Sequence, residues 1–226
     1  DALYARFQES ILPYHNGNQH PGFMGWVQGA GTPIGILAEL MAAGINDNCG
    51  GRDHAAVEVE RQVIRWTAEI VGFPEDASGV LVTGSSMANF IGVITASRAH
   101  KLALRREGVR EEQFVGYASL GAHGCISRAF DLAGFGSDAL RLIPTDDAFR
   151  MRMDLLEQHI TEDRAKGLTP FLVVGTAGTV DCGAVDDLQA IADLTKREGL
   201  WFHVDGAFGA LARLSDRLRP QLAGME

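Results

Sequence analysis

The 226-residue sequence predicts an α/β domain: a mostly parallel sheet covered by helices on both faces. From Gly79 onward, short apolar segments alternate with longer amphipathic ones. The turns between them are short, and several apolar segments are too continuously hydrophobic to leave one face in water. Together these features describe five strand-helix alternations.

The elements follow in order. Leu3, Phe7 and Ile11 recur every four residues and predict a short helix within residues 1–14. Residues 15–32 form a loop rich in Gly, Asn, His and aromatics, of a length more often functional than idle. Its Gly29 to Gly35 run is one residue too long for a dinucleotide fingerprint and follows no strand, so that reading is discounted. Thr32 and Pro33 open an apolar helix over 33–43 that Gly44 closes. After a polar loop at 46–54, Val59, Val63, Trp66 and Ile70 keep the helical period over 58–71. Strands are then predicted over 80–82, 114–118, 140–143, 171–174 and 201–204. Helices are predicted over 85–105, 123–132, 153–166 and 186–198. Residues 1–55 read as a segment packed on the core formed by 56–226.

Composition narrows the function classes. The chain is 46% hydrophobic and 22% charged, ordinary for a globular protein, and its net charge is -9. With no clustered Lys and Arg, it is not expected to bind nucleic acid. No apolar run approaches the roughly 18 residues that span a bilayer, and residues 1–20 carry no secretory signal pattern. Cys49, Cys125 and Cys182 are odd in number and form no Cys-x-x-Cys pair, which points to a reducing compartment with the thiols as small buried hydrophobes. The expected location is the cytoplasm.

The chemistry concentrates at one inferred sheet edge. Trp201 to Val204 leads directly into Asp205, so Asp205 sits at a strand's carboxyl end, where open α/β sheets bind ligands. A carboxylate buried there needs a cation or strong donors; the alternative is that Asp205 caps a following helix. Thr83-Gly84-Ser85-Ser86 joins a strand to a long helix and either cups a phosphate or merely caps that helix. No lysine completes a P-loop there. His123, at the next turn, either stacks on a planar ligand or serves structure. The Gly175 to Gly183 turn adds hydroxyls at the same edge, and Asp186 and Asp187 cap the next helix unless one reaches inward. A zinc site from His123, His203, Asp205 and a cysteine lacks ligand spacing, so no metal is expected. Collectively these pieces suit pyridoxal 5'-phosphate (PLP). Ser85 and Ser86 would hold the phosphate, His123 would cover one ring face, Ala207 would leave the other face flat, and Asp205 would meet the pyridinium nitrogen.

The ordered set Thr-Gly-Ser-Ser-x-Ala-Asn, Ala-His, Gly-Thr-x-Gly-Thr and His-Val-Asp-x-Ala resembles the PLP-dependent group II amino-acid decarboxylases, relatives of the aromatic-L-amino-acid and glutamate decarboxylases. His20-Pro21-Gly22-Phe23 and Glu58-Val59-Glu60-Arg61 extend the resemblance over nearly the whole chain. It implies an aminotransferase-like (PLP fold type I) large domain, a homodimer with the site at its interface, and an L-amino acid as small-molecule substrate. Catalytic roles fall on His123 and Asp205; cofactor-binding roles fall on Ser85, Ser86, His123, Thr179, Asp205 and Ala207. Met87, Val180 and Gly206 depart from the family pattern, where Glu, a hydroxyl residue and Ala are usual. The lysine that bonds the cofactor is missing: Lys101, Lys166 and Lys196 all lie on predicted helices away from the sheet edge. The chain therefore reads as a large domain truncated before that lysine and lacking the C-terminal small domain. Such a fragment would be inactive alone, while the complete protein would release carbon dioxide from its substrate. The alternatives are a carbon-carbon lyase or desulfurase on the same fold, or a non-catalytic α/β binding module. Phe23, Trp26 and Tyr14 would suit an aromatic substrate, whereas Asp47 or Asp53 would suit a basic one.

Overall fold

The computed structural model describes residues 2–48, 50, 53–110 and 112–226. The chain divides into two compact units, Asp1–Arg52 and Asp53–Glu226. The first contains helices α1 (Ala2–Ser10) and α2 (Pro33–Ile45). Thr32 caps α2 by accepting the Gly35 N–H at 3.0 Å. Asn46, in the left-handed conformation, ends it two residues later than Gly44 would have.

The second unit opens with α3 (Ala55–Val71) and α4 (Ser85–His100). After the short α5 (Leu104–Glu107) come β1 (Phe114–Ser119), α6 (Cys125–Leu132) and β2 (Leu140–Ile143). The series closes with α7 (Met153–Ala165), β3 (Thr169–Thr176), α8 (Leu188–Glu198) and β4 (Trp201–Asp205). The sheet order is β2-β1-β3-β4, with every pairing parallel.

Strand alternation sends successive side chains to opposite faces, which builds two cores. Val93 and Ala96 of α4, and Ile126, Ala129 and Phe130 of α6, pack on Phe114, Phe171 and Val174. Phe171 lies 5.8 Å from both Phe114 and Phe130, ring centre to ring centre. Gly116 makes room for this cluster, because a Cβ there would stand 2.5 Å from Phe130 Cζ. On the other face, Leu156 and Ile160 of α7 and Ile191 and Leu194 of α8 cover Val115, Tyr117 and Val173. The expected α/β architecture with both faces covered is therefore present.

Several local expectations need correction. Residues 80–82 form no strand: no neighbour pairs with them, Val80 and Leu81 are 57% and 56% exposed, and the Leu81 N–H donates instead to Glu60 Oε1 at 2.9 Å. Apolar character alone does not make a strand without a partner. The helix expected over 85–105 breaks at Lys101, which turns to extended backbone before α5. The stretch after Asp205 forms a turn and then a 3-10 helix, Ala210–Leu214, rather than an α-helix. There the backbone hugs the exit of β3 so closely that a Cβ on Gly209 would stand 2.2 Å from the Ala177 carbonyl oxygen. Of the thiols, Cys125 is buried but Cys182 is exposed, against expectation; Cys49 lies outside the described residues. Among the described residues, no helix is long and apolar enough to cross a membrane.

Candidate active site

Residues 203 and 205 share the α4-facing side of β4, because they are two apart on one strand. Asp205 is 8% exposed. Its Oδ2 accepts from Asn89 Nδ2 at 3.2 Å and its Oδ1 from the Ala207 N–H at 3.2 Å. The second bond is a two-residue side-chain turn, so Asp205 caps no α-helix and that expectation falls. Both donors are neutral, and among the described residues no cation forms an ion pair with Asp205.

Asn89 is the residue that sequence reasoning passed over. It lies one helical turn beyond Ser85 on α4 and is 3% exposed. A carboxylate only accepts, so the Asn89 amide must turn its NH2 toward Asp205. The same NH2 meets Cys125 Sγ at 3.3 Å, leaving Oδ1 to face His203 Nε2 at 2.7 Å. His203 must then carry its hydrogen on Nε2. Burial pushes the His203 pKa down, against the opposing pull of Asp205, which keeps the ring neutral. Burial likewise pushes the Cys125 thiol up, with Asn89 opposing and Asp205 reinforcing the shift. The available signal was an amide beside the apolar run from Phe90 to Ile94, where an unpaired polar group would be costly.

Ser85, Ser86 and His123 take the following positions. Ser85 and Ser86 open α4, both exposed, and no side chain caps the helix. The reading in which they merely cap it therefore fails. Gly84 precedes them at φ +89°, a conformation that glycine tolerates. His123 lies exposed in the loop before α6, not within the helix as expected, and its Nδ1 accepts the Cys125 N–H at 3.2 Å. That bond ties its ring to the residue that also meets Asn89.

The comparisons with known proteins identify the family. Residues 1–226 match the pyridoxal-dependent decarboxylase conserved domain. The chain belongs to the pyridoxal-dependent decarboxylase family. The chain is 36% identical over 208 residues to an aromatic-L-amino-acid decarboxylase of Bacillus atrophaeus, covering 91% of this chain and 42% of that protein. The glutamate decarboxylase domain of diaminobutyrate-pyruvate transaminase and L-2,4-diaminobutyrate decarboxylase from Vibrio parahaemolyticus superposes with a TM-score of 0.94. It is 28% identical, with coverage of 100% of this chain and 51% of that one. Oryza sativa TDC, solved with PLP, gives a TM-score of 0.88 at 26% identity, covering 99% of this chain and 50% of that one. The chain thus spans about half the length of these relatives.

Within this pyridoxal-dependent decarboxylase domain, the hydroxyls at the end of β3 divide in two. Thr179 is buried, but its Oγ1 is spent on its own loop, accepting the Ala184 N–H at 3.1 Å and lying 3.2 Å from Cys182 Sγ. Thr176 pairs in register with Asp205, and its buried Oγ1 has no partner. Of the two acidic residues at the start of α8, Asp187 caps the helix through the Ala190 N–H at 3.0 Å. Asp186 reaches inward and accepts the Met151 N–H at 2.7 Å and the Thr176 N–H at 2.9 Å. Gly206, a departure from the family pattern, has a local reason: a Cβ there would stand 2.6 Å from Ala210 Cβ. The three lysines sit at helix C-termini, Lys101 after α4, Lys166 after α7 and Lys196 in the last turn of α8. In parallel strand-helix units those ends lie opposite the carboxyl edge of the sheet, so none of the three approaches Asp205.

Proposed function

We propose that the protein bearing this chain is a cytoplasmic, homodimeric PLP-dependent carboxy-lyase that converts an L-amino acid to its amine and carbon dioxide, with residues 56–226 as the cofactor-binding large domain. One observation carries this reading. Asp205 is a buried carboxylate held only by neutral donors, so its charge is left for a cationic ligand such as a protonated pyridine nitrogen.

PLP supplies an electron sink for the pair left behind when carbon dioxide departs. The chain's own residues do the rest. Ser85, Ser86 and the unpaired N–H groups that open α4 hold the phosphate. His123, steadied through Nδ1 by the Cys125 N–H, covers one face of the ring. Ala207 leaves the opposite face flat. Asp205 keeps the ring nitrogen protonated, which deepens the sink. Thr179, buried in the loop after β3, keeps the cofactor-side place that the resemblance gives it.

Dimerisation has support in α2, which exposes Ile34, Ile36, Leu37, Leu40, Met41 and Ile45. A surface that apolar favours a covering partner.

The test is to incubate the full-length protein, purified with PLP, with a panel of L-amino acids and to measure carbon dioxide and amine release. Release from at least one substrate is expected. Product without carbon dioxide would move the reading to a carbon-carbon lyase or desulfurase. A colourless protein that takes up no PLP would overturn it.

A further inference from the structure

We infer that Asn89 and His203 are positioning residues for Asp205: His203 Nε2 donates to Asn89 Oδ1, and this fixes the amide so that Nδ2 holds the Asp205 carboxylate in place. The inference rests on the reading that Asp205 partners the cofactor ring.

Every polar atom of the Asn89 side chain is engaged. Oδ1 meets His203 at 2.7 Å, while Nδ2 meets Asp205 at 3.2 Å and Cys125 at 3.3 Å. The amide therefore spans from α4 to β4 and α6. A flipped amide would face its oxygen to the Asp205 carboxylate, replacing a bond with a repulsion, and would oblige His203 to move its hydrogen from Nε2 to Nδ1. His203 in its Nε2–H form therefore reinforces the orientation that the carboxylate demands, through Asn89 Oδ1. Without it, Oδ1 would lose its donor and Asn89 would be free to rotate. Asp205 would then keep only the Ala207 N–H. A ring partner must be held within fractions of an ångström, and this relay supplies the restraint without adding a charge that would compete for Asp205.

The experiment uses the full-length protein, four single variants, His203→Phe, His203→Gln, Asn89→Ala and Asp205→Ala, and one double variant. The readouts are PLP affinity by absorbance, induced circular dichroism of the bound cofactor, and the thermal midpoint. Phe retains a flat ring but no donor; Gln retains a donor. His203→Phe and Asn89→Ala are each expected to weaken PLP binding about tenfold, the size of one lost hydrogen bond to a charged group, and to alter the dichroism. His203→Gln is expected to restore both to near wild type. The double variant, Asn89→Ala with His203→Phe, should be no worse than Asn89→Ala alone, since His203 acts through Asn89. If His203→Phe does not fold, the comparison of Asn89→Ala with His203→Gln carries the test. Unchanged affinity and dichroism in Asn89→Ala, with binding lost in Asp205→Ala, would overturn the relay while leaving the ring-partner reading intact. An additive double variant would overturn it too. Wild-type PLP affinity in Asp205→Ala would sink the ring-partner reading and the relay with it.

Discussion

Gly92 of α4 and His203 of β4 touch in a way that admits no side chain on the helix: a Cβ at position 92 would stand 2.6 Å from His203 Cε1 and 2.8 Å from its Nδ1. The ring fits against the helix only because that Cβ is missing. Its Nε2 thereby reaches Asn89, three residues earlier on α4.

Gly92→Ala is accordingly expected to destabilise. Alanine gains up to about 1 kcal/mol of helix propensity, but forcing a methyl into a filled site costs about 1–3 kcal/mol. The ring is partly buried and held 2.7 Å from Asn89, so it has little room to retreat, and the steric cost wins. Denaturant unfolding should show a net loss of up to about 2 kcal/mol. A gain in stability would mean that His203 moves aside freely.

Asp205→Ala should leave the protein folded and remove turnover. The carboxylate makes two hydrogen bonds, both with neutral donors, so its loss is tolerable to the fold. Its electrostatic role has no substitute among the described residues. Carbon dioxide release is expected to fall by at least about 100-fold, in line with the loss of one preorganised charged group. Near-wild-type turnover would remove Asp205 from the chemistry.

Ser86→Leu tests the phosphate cup. Ser86 is exposed and caps nothing, so stability should change by no more than about 0.5 kcal/mol. The bulky side chain at the opening of α4 should lower the PLP content of the purified protein, read from absorbance of the bound aldehyde. Unchanged content would refute the assignment.

Asp186 links the sheet edge to pH. Burial pushes its carboxyl above the ordinary aspartate range, while the Met151 and Thr176 N–H groups pull it back. A raised folded pKa means that the folded state binds the proton more tightly than the unfolded chain. The resulting stability is fully present below the ordinary aspartate pKa and is lost as pH rises through the raised folded value. Asp186→Asn removes that slope. It also leaves one buried N–H facing an amide NH2, at a cost of about 1–3 kcal/mol. Unfolding measured across a pH series should show a protein less stable at neutrality and less sensitive to pH just above the ordinary aspartate range. Retention of the wild-type slope would assign it elsewhere.

Much of this molecule was legible in one dimension. The parallel sheet was announced by four apolar segments whose burial needs no knowledge of their neighbours, and Asp205 by its place at the end of the last of them. Ser85 and Ser86 were readable as a small-residue turn entering a helix. Each of these features depends on local periodicity or on residues adjacent in the chain. Residues 80–82 show the limit, because their apolar pattern is strand-like but a strand exists only when another backbone accepts its hydrogen bonds.

The remaining assignments depended on contacts between distant segments. Asn89 reads as an ordinary helix residue until it is seen 114 positions from His203 and 116 from Asp205, bonded to both. Thr176 at the end of β3 and Thr179 in the loop after it have the same chemistry, and Asp186 and Asp187 are neighbours of one type; only packing shows which hydroxyl has a partner and which carboxylate turns inward. Composition and spacing specify which way a strand or helix presents its residues. Hydrogen-bond partners are chosen by whatever the folded chain brings within about 3 Å, and that choice has no signature in any single segment.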